Sequence, residues 1–378
     1  MNPERRGAGA DRGAEADRGA GADRGAGADR GPGALAASPE PDRMAGPSGP
    51  EPDGSGGVGG PEPDGLAPLG PLALSRGEVD RATMLREDTA WLEAAWADPG
   101  SRVLVVHDGQ APVWFGDDGA ELELVPPAAA PDGVRFLLGT DAGGVAYFGV
   151  AASGERPGAA GAQPDRGGRA ASMRWAGLRQ AGALLPARDA GLMTHAVALA
   201  NWHAVAGYCS RCGAATEPAA AGHTRRCVAD GTEHFPRSDP AVIMLVTDPD
   251  DRGLLARNAQ WPERRVSILA GFVEPGESAE QAVVREVFEE TGLVVERVRY
   301  VGSQPWPMPH SLMLGFRAHA AGGQQIRVDI NEIAEARWFS RAELRAAIER
   351  GEIRLPPPVS IAHQIISSWY GNDLAGSW

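Results

Sequence analysis

The chain has 378 residues and no lysine: its 36 basic residues are all arginine, against 50 Asp and Glu, for a formal charge of −14. That deficit of positive charge argues against a general nucleic-acid or anionic-membrane binder. Alongside the surplus of Ala, Gly and Pro, the missing lysine reads as a compositional bias of the genome, not a functional signal. No run of about 18 apolar residues occurs, so no membrane span is expected. The amino terminus also lacks the charged-then-apolar layout of a secretory signal. Three cysteines, an odd number in a long chain, do not make a disulfide framework and fit a cytoplasmic setting.

What is present falls into distinct stretches, with room for two or three domains. Residues 1–70 repeat GADRGA-like units and then PEPDG-type units. They hold almost nothing that could be buried, so folding cannot offset backbone entropy there, and a disordered tail is expected. Residues 71–204 read as an α+β domain. Asp88 caps a helix with Trp91, Leu92, Ala95 and Trp96 on one face, and strands fall at 102–106, 134–138 and 145–150. A Gly/Ala/Pro-rich loop spans 151–171, and a helix at 189–206 carries Leu192, Ala196, Leu199 and His203 on one side. No constellation in this domain could do chemistry.

Residues 205–238 contain CSRCG, at Cys209 to Gly213, and then Cys227 in CVADG. A Cys-x2-Cys pair followed by a third cysteine approaches the spacing of a zinc ribbon. Asp230 stands where a fourth cysteine would, with the knuckle glycine, Gly231, retained. We expect one structural Zn²⁺ per subunit on Cys209, Cys212, Cys227 and Asp230. His223 and His234 compete for the fourth position, and a decayed ribbon with spare thiols is the alternative.

From residue 239 to 378 the pattern is α/β, with strands expected at 241–246, 266–270, 294–300, 312–318 and 337–339. Ser340 with Glu343 caps a helix to Arg350, and a Pro-rich turn and helix fill 356–370. The chemistry gathers at GFVEPGESAEQAVVREVFEETGL, Gly271 to Leu293. Ser278 with Gln281 three positions on is a capping box, and Gly292 supplies a stop. Glu286, Glu289 and Glu290 then lie within an arc of about 100° on one helix. Like charges so crowded repel one another, and a hard divalent cation, Mg²⁺ or Mn²⁺, neutralises them best. A solvated acidic helix is the bland alternative.

This stretch resembles the Nudix box, G-x5-E-x7-R-E-U-x-E-E-x-G-U. Gly271, Glu277, Arg285, Glu286, Val287, Glu289, Glu290, Gly292 and Leu293 fill every fixed position. Just past it, SQPWPMPHS (Ser303 to Ser311) is similar to the SQPWPFPxS array of bacterial NADH pyrophosphatases, a branch that also removes NAD caps from RNA. Met308 replaces the usual Phe, which removes a ring that could stack. The resemblance runs from about Leu72 to the end of the chain. It implies a mixed-sheet α/β/α Nudix sandwich preceded by a zinc ribbon and an N-terminal α+β domain. It also implies a homodimer whose active sites draw on both subunits.

By the same resemblance, Glu286, Glu289, Glu290, Glu332 and the Ala270 carbonyl hold Mg²⁺ or Mn²⁺, and Glu290 assists the attacking water. Arg285 and Glu277 brace the loop. Phe235, Phe272, Gln304, Pro305, Trp306, Pro307, Met308, Pro309, His310, Ser311 and Ala362 line the dinucleotide. The implied reaction is hydrolysis of the NADH or NAD pyrophosphate to NMN(H) and AMP, including NAD-cap removal from RNA 5′ ends. The alternatives are a Nudix pyrophosphatase for another nucleotide adduct such as ADP-ribose, and a non-catalytic nucleotide- or RNA-binding module.

Overall fold

The protein is described here by a computed structural model covering residues 68–156, 172–371 and 374. The expected tail therefore lies outside the described residues up to position 67, as does most of the expected loop at 157–171. Packing begins earlier than the composition suggests. The Leu69 N–H donates to the Val301 carbonyl (2.8 Å), and Leu72 is buried.

The first region holds β1 (Arg102–Val106), β2 (Gln110–Gly116), β3 (Gly119–Leu122), β4 (Gly133–Thr140), β5 (Ala146–Ala152) and β6 (Ser172–Gly177), with helices α1 (Thr89–Ala97), α2 (Leu178–Ala181) and α3 (Ala187–Val205). The strands form two three-stranded sheets, ordered β1-β5-β4 and β3-β2-β6. Strand β1 runs parallel to β5. Helix α3 buries Leu192, Met193, Ala196 and Leu199 in the core shared with Leu104, Val113 and Phe136. Asp88 caps α1 by accepting the Trp91 N–H at 2.9 Å. Its tryptophans pack partly buried against a satellite core around Phe148. Nothing in the sequence marks β2, β3 and β6: Pro112 interrupts the apolar run of β2, and β3 and β6 are only four and six residues long.

A small antiparallel sheet follows, of β7 (Thr216–Ala219), β8 (Thr224–Cys227) and β9 (Glu233–His234). The last region contains β10 (Asp239–Thr247), β11 (Gly253–Asn258), β12 (Leu269–Phe272), α4 (Ala279–Thr291), β13 (Val295–Trp306), β14 (Ser311–Ala320), β15 (Ile333–Phe339), α5 (Arg341–Glu349) and α6 (Ile361–Tyr370). Its sheet is ordered β13-β14-β10-β11-β15, with β12 also paired to β10. β10 and β14 are parallel and the other pairs antiparallel.

Strand β10 reads as a continuous apolar run because both of its faces are covered. Val242, Met244 and Val246 join Val283 and Val287 of α4. Ile243 and Leu245 join Ile361, Ile365 and Trp369 of α6. Alternate residues of one strand thus enter two cores, and the region is an α/β/α sandwich. SQPW proves to be the end of β13, and PMPH is the turn that leads into β14.

Candidate active site and metal centres

Helix α4 begins where its capping pair dictates. The Ser278 hydroxyl accepts the Gln281 N–H (3.2 Å), and the Gln281 side-chain Oε1 accepts the Ser278 N–H (2.8 Å). Gly292 closes it at φ +68°. The helix turns Ala282, Val283 and Val287 into the core, and Glu286 lies against Gly271 of β12.

Glu290 is a carboxylate set in an otherwise apolar face. It is 6% exposed, and its Oε2 is buried with no hydrogen-bond partner among the described residues. Burial, then the charges of Glu286, Glu332 and Glu289, push its pKa up to about 8. Burial also raises Glu286, against the pull of Arg285, and Glu289 and Glu332 add to the rise. Each unit of such a shift corresponds to about 1.4 kcal/mol against the ionised form. Ionising Glu290 therefore costs roughly several kcal/mol that a cation would offset.

Gly271 opens the space beside these groups, because a Cβ there would lie 1.9 Å from the Glu286 carboxyl carbon. An orphaned buried oxygen, clustered carboxylates and a cleared backbone fit a hard divalent ion. Glu286, Glu289, Glu290 and Glu332 would hold it, with the Ala270 carbonyl on the adjoining strand.

Arg285 organises the rim. Its guanidinium donates to Glu277 through Nη2 (2.5 Å) and Nε (3.2 Å), and to the Phe272 carbonyl (2.9 Å). It also reaches Glu289 (3.1 Å) and Glu286 (2.9 Å). Glu277 in turn accepts the Glu274 N–H at 2.7 Å. The expected Arg285–Glu277 brace is present. The spacing did not show that the same arginine also ties back two of the clustered carboxylates.

The aromatic candidates stand open, with Phe235 66% and Phe272 57% exposed. The proline-rich array is placed differently from the expectation that all of it lines a dinucleotide. Gln304 is fully buried. Its Oε1 accepts the Leu74 N–H (3.2 Å), and its amide donates to the Val359 carbonyl (3.0 Å). That side chain clasps three segments and cannot meet a ligand in this arrangement.

Trp306 and Met308 pack against the core of the first region, with the Arg179 guanidinium 4.9 Å from the indole. Asn201 holds the turn by donating to the Pro307 carbonyl at 2.8 Å. Pro305, Pro307 and Pro309 shape the hairpin, and Ser311 starts β14. His310 Nδ1 lies 3.2 Å from Asp239. The Ala362 N–H is already taken by the Ser360 hydroxyl (3.2 Å). Asn201 and Arg179 were missed because each lies more than a hundred residues from its partner, and nothing local marks them.

In the small sheet, one donor atom from each of Cys209, Cys212, Cys227 and Asp230 lies within 4.8 Å of all the others, and the Cys212 and Cys227 sulfurs are 3.5 Å apart. The two halves fold alike. The Gly213 N–H donates to the Cys209 carbonyl and the Gly231 N–H to that of Cys227 (2.9 and 3.0 Å). Both glycines have φ above +70°, which a side chain would oppose. The Asp230 carboxyl is held down to about 2, chiefly by the Thr232 N–H, so it stands as an anion. Four convergent donors, three of them sulfur, suit a closed zinc site. His223 stands outside this four-donor group, buried with its Nε2 on the Leu137 carbonyl at 2.8 Å.

Three family models match the chain in succession. Residues 83–202 match the NADH pyrophosphatase-like rudimentary NUDIX domain, 206–235 the NADH pyrophosphatase zinc ribbon domain and 237–357 the NUDIX domain. The NAD-capped RNA hydrolase NudC of Mycobacterium bovis is 44% identical over 308 residues, 78% of this chain and 94% of that protein. The human NAD-capped RNA hydrolase NUDT12 is 41% identical over 197 residues, 49% of this chain and 42% of that one. Among solved structures, a NUDIX hydrolase from Nitrosomonas europaea aligns with 45% of this chain and 96% of its own at 22% identity, with a TM-score of 0.35.

Proposed function

We propose that this chain, which belongs to the Nudix hydrolases of the NADH pyrophosphatase and NAD-capped RNA hydrolase branch, hydrolyses the pyrophosphate of NAD(H) to NMN(H) and AMP and removes NAD caps from RNA 5′ ends. The observation that carries the reading is the glutamate cluster of α4, with the orphaned Oε2 of Glu290 at its centre. In the reaction, water adds to one phosphorus and the bridging P–O bond breaks, leaving two monophosphates.

Mg²⁺ or Mn²⁺ at the cluster supplies charge neutralisation on the phosphates and a more acidic water. Glu290 takes up the water proton at Oε2. Arg285 and Glu277 act as positioning residues that keep Glu286 and Glu289 in place. Phe235 and Phe272 offer exposed rings to the nicotinamide or adenine, worth about 1–3 kcal/mol per stacked base. The turn from Pro305 to Ser311 contributes its backbone and prolines, and Gln304 supports it from behind.

We further propose a homodimer, supported by apolar side chains left exposed at Val205, Tyr208, Val228 and Phe235 in and beside the ribbon, and at Phe272 and Phe288 near α4. A zinc ion on the ribbon and a cytoplasmic setting fit the free thiols. The test is a side-by-side assay of NADH, NAD⁺, ADP-ribose and NAD-capped RNA with Mn²⁺, following AMP and 5′-monophosphate RNA. Preference for the first two and the capped RNA supports the reading, whereas preference for ADP-ribose overturns it.

A further inference from the structure

A second charged cavity lies on the other face of the α/β/α sheet, where the ends of β13, β14 and β10 meet α5 and α6. It has a volume of about 330 Å³, and its wall carries Arg297, Arg299, Arg317, Arg341 and His319 against one carboxylate, Asp251. On a chain of formal charge −14 this is a local reversal of sign.

Its position separates it from the glutamates. Phe316 and Ala318 of β14 enter the core under α4, so the alternating Arg317 and His319 face α6. Thr247, opposite His319, ends β10, whereas the glutamate loop joins β10 at Ala241 to Ile243. That offset of four to six residues is roughly 13–20 Å along the strand, with the thickness of the sheet in addition.

The charge of Arg317 is only partly answered from within. Asp251 is committed, accepting from Arg341 Nη1 (2.6 Å) and Trp369 Nε1 (3.2 Å). Glu296 sits a loose 3.6 Å from Arg297. Arg317 donates Nη2 to a neutral group, the Ser368 hydroxyl (2.6 Å), while its Nε is buried without a partner among the described residues. Burial lowers the pKa of Arg317, Asp251 offsets this in part, and Arg341 adds to it. A half-buried guanidinium with an unpartnered Nε, in a recess lined by other arginines, is satisfied by an anion, and its planar fork matches phosphate oxygens.

We propose that this recess binds a phosphate group at a site distinct from the hydrolytic one, the phosphate being inorganic, on a free nucleotide, or in an RNA backbone. The inference does not depend on the substrate proposed for the glutamate site. Calorimetric titration of the full chain with inorganic phosphate, at low salt and without divalent ions, tests it, because the cation-free glutamate cluster repels phosphate. Saturable binding is expected, weakened about ten-fold or more by Arg317→Gln, with NADH hydrolysis in Mn²⁺ unchanged. Loss of Arg317 can disturb packing, so Arg297→Gln, at a more exposed position, is measured beside it and is expected to weaken binding in the same direction. A short uncapped RNA forms a second arm. Tighter binding than phosphate, lost in the same variants, identifies the backbone as the source, and equal or weaker binding identifies the free anion. No saturable heat from the unsubstituted chain, or an affinity in both variants equal to the parent's, would overturn the proposal.

Discussion

Gly271 and Glu286 occupy one another's space: a methyl group on the glycine would stand 1.9 Å from the carboxyl carbon of the glutamate. The glycine is needed because the carboxylate lies against the backbone of β12, beside the carbonyl proposed as a metal ligand. Gly271→Ala would push Glu286 aside by an ångström or so, a displacement that costs about a hundred-fold in turnover at a preorganised site. We expect that loss in kcat for NADH with a melting temperature close to the parent's. Parent-like turnover would contradict the placement.

Glu290→Gln removes the central charge while keeping the shape. Hydrolysis is expected to fall by about 10²–10⁴. The metal-free protein should melt no lower than the parent, since the variant relieves a buried carboxylate surrounded by like charges. Calorimetric melts in EDTA alongside initial rates in Mn²⁺ separate the two effects. Near-parental hydrolysis by this variant would reject the role of Oε2.

The ribbon site predicts a structural dependence. Removing zinc with a strong chelator, then restoring Mn²⁺, should lower the melting temperature more than the initial rate. Asp230→Ala should lower zinc content, measured by elemental analysis, and melting temperature together. Unchanged melting with no zinc bound would leave the cluster as spare thiols.

Three histidines set an acid limit on stability. Burial lowers His195 to about 3, and His203 and His223 to about 4. His203 shows why. Its Nε2 donates to the Gly222 carbonyl (2.8 Å), and its Nδ1 lies 3.0 Å from Arg225 Nη1, a donor that a protonated ring would repel. Folded-state values below the unfolded value of 6.5 mean that the unfolded chain takes up protons first as pH falls. The stability these three histidines contribute should thus be complete above about pH 7 and fall by several kcal/mol between pH 6.5 and 4. Urea melts across that range check this, and His203→Gln should flatten the slope. A profile level down to pH 4 would contradict it.

How far the sequence reveals this arrangement depends on how far apart the interacting residues lie. The ends of α4 were legible because Ser278, Gln281 and Gly292 act on backbone within a turn. The ribbon was legible because CxxCG and CxADG each build a local knuckle. Strands β2, β3 and β6 were not, since runs such as QAPVWFG gain their strand state from neighbours across a sheet. Gln304 shows the limit most clearly. Its sequence setting matches a substrate-lining motif, but its side chain answers Leu74, 230 residues away, and Val359, 55 residues away. Only the folded chain shows that its amide is already spent.

The most direct measurement incubates the purified chain with NADH and Mn²⁺ and resolves the products by chromatography, with Glu290→Gln in parallel. The account predicts equal amounts of NMNH and AMP from the parent chain and almost none from the variant. An intact dinucleotide, or cleavage at any bond other than the one joining the two phosphates, would contradict it.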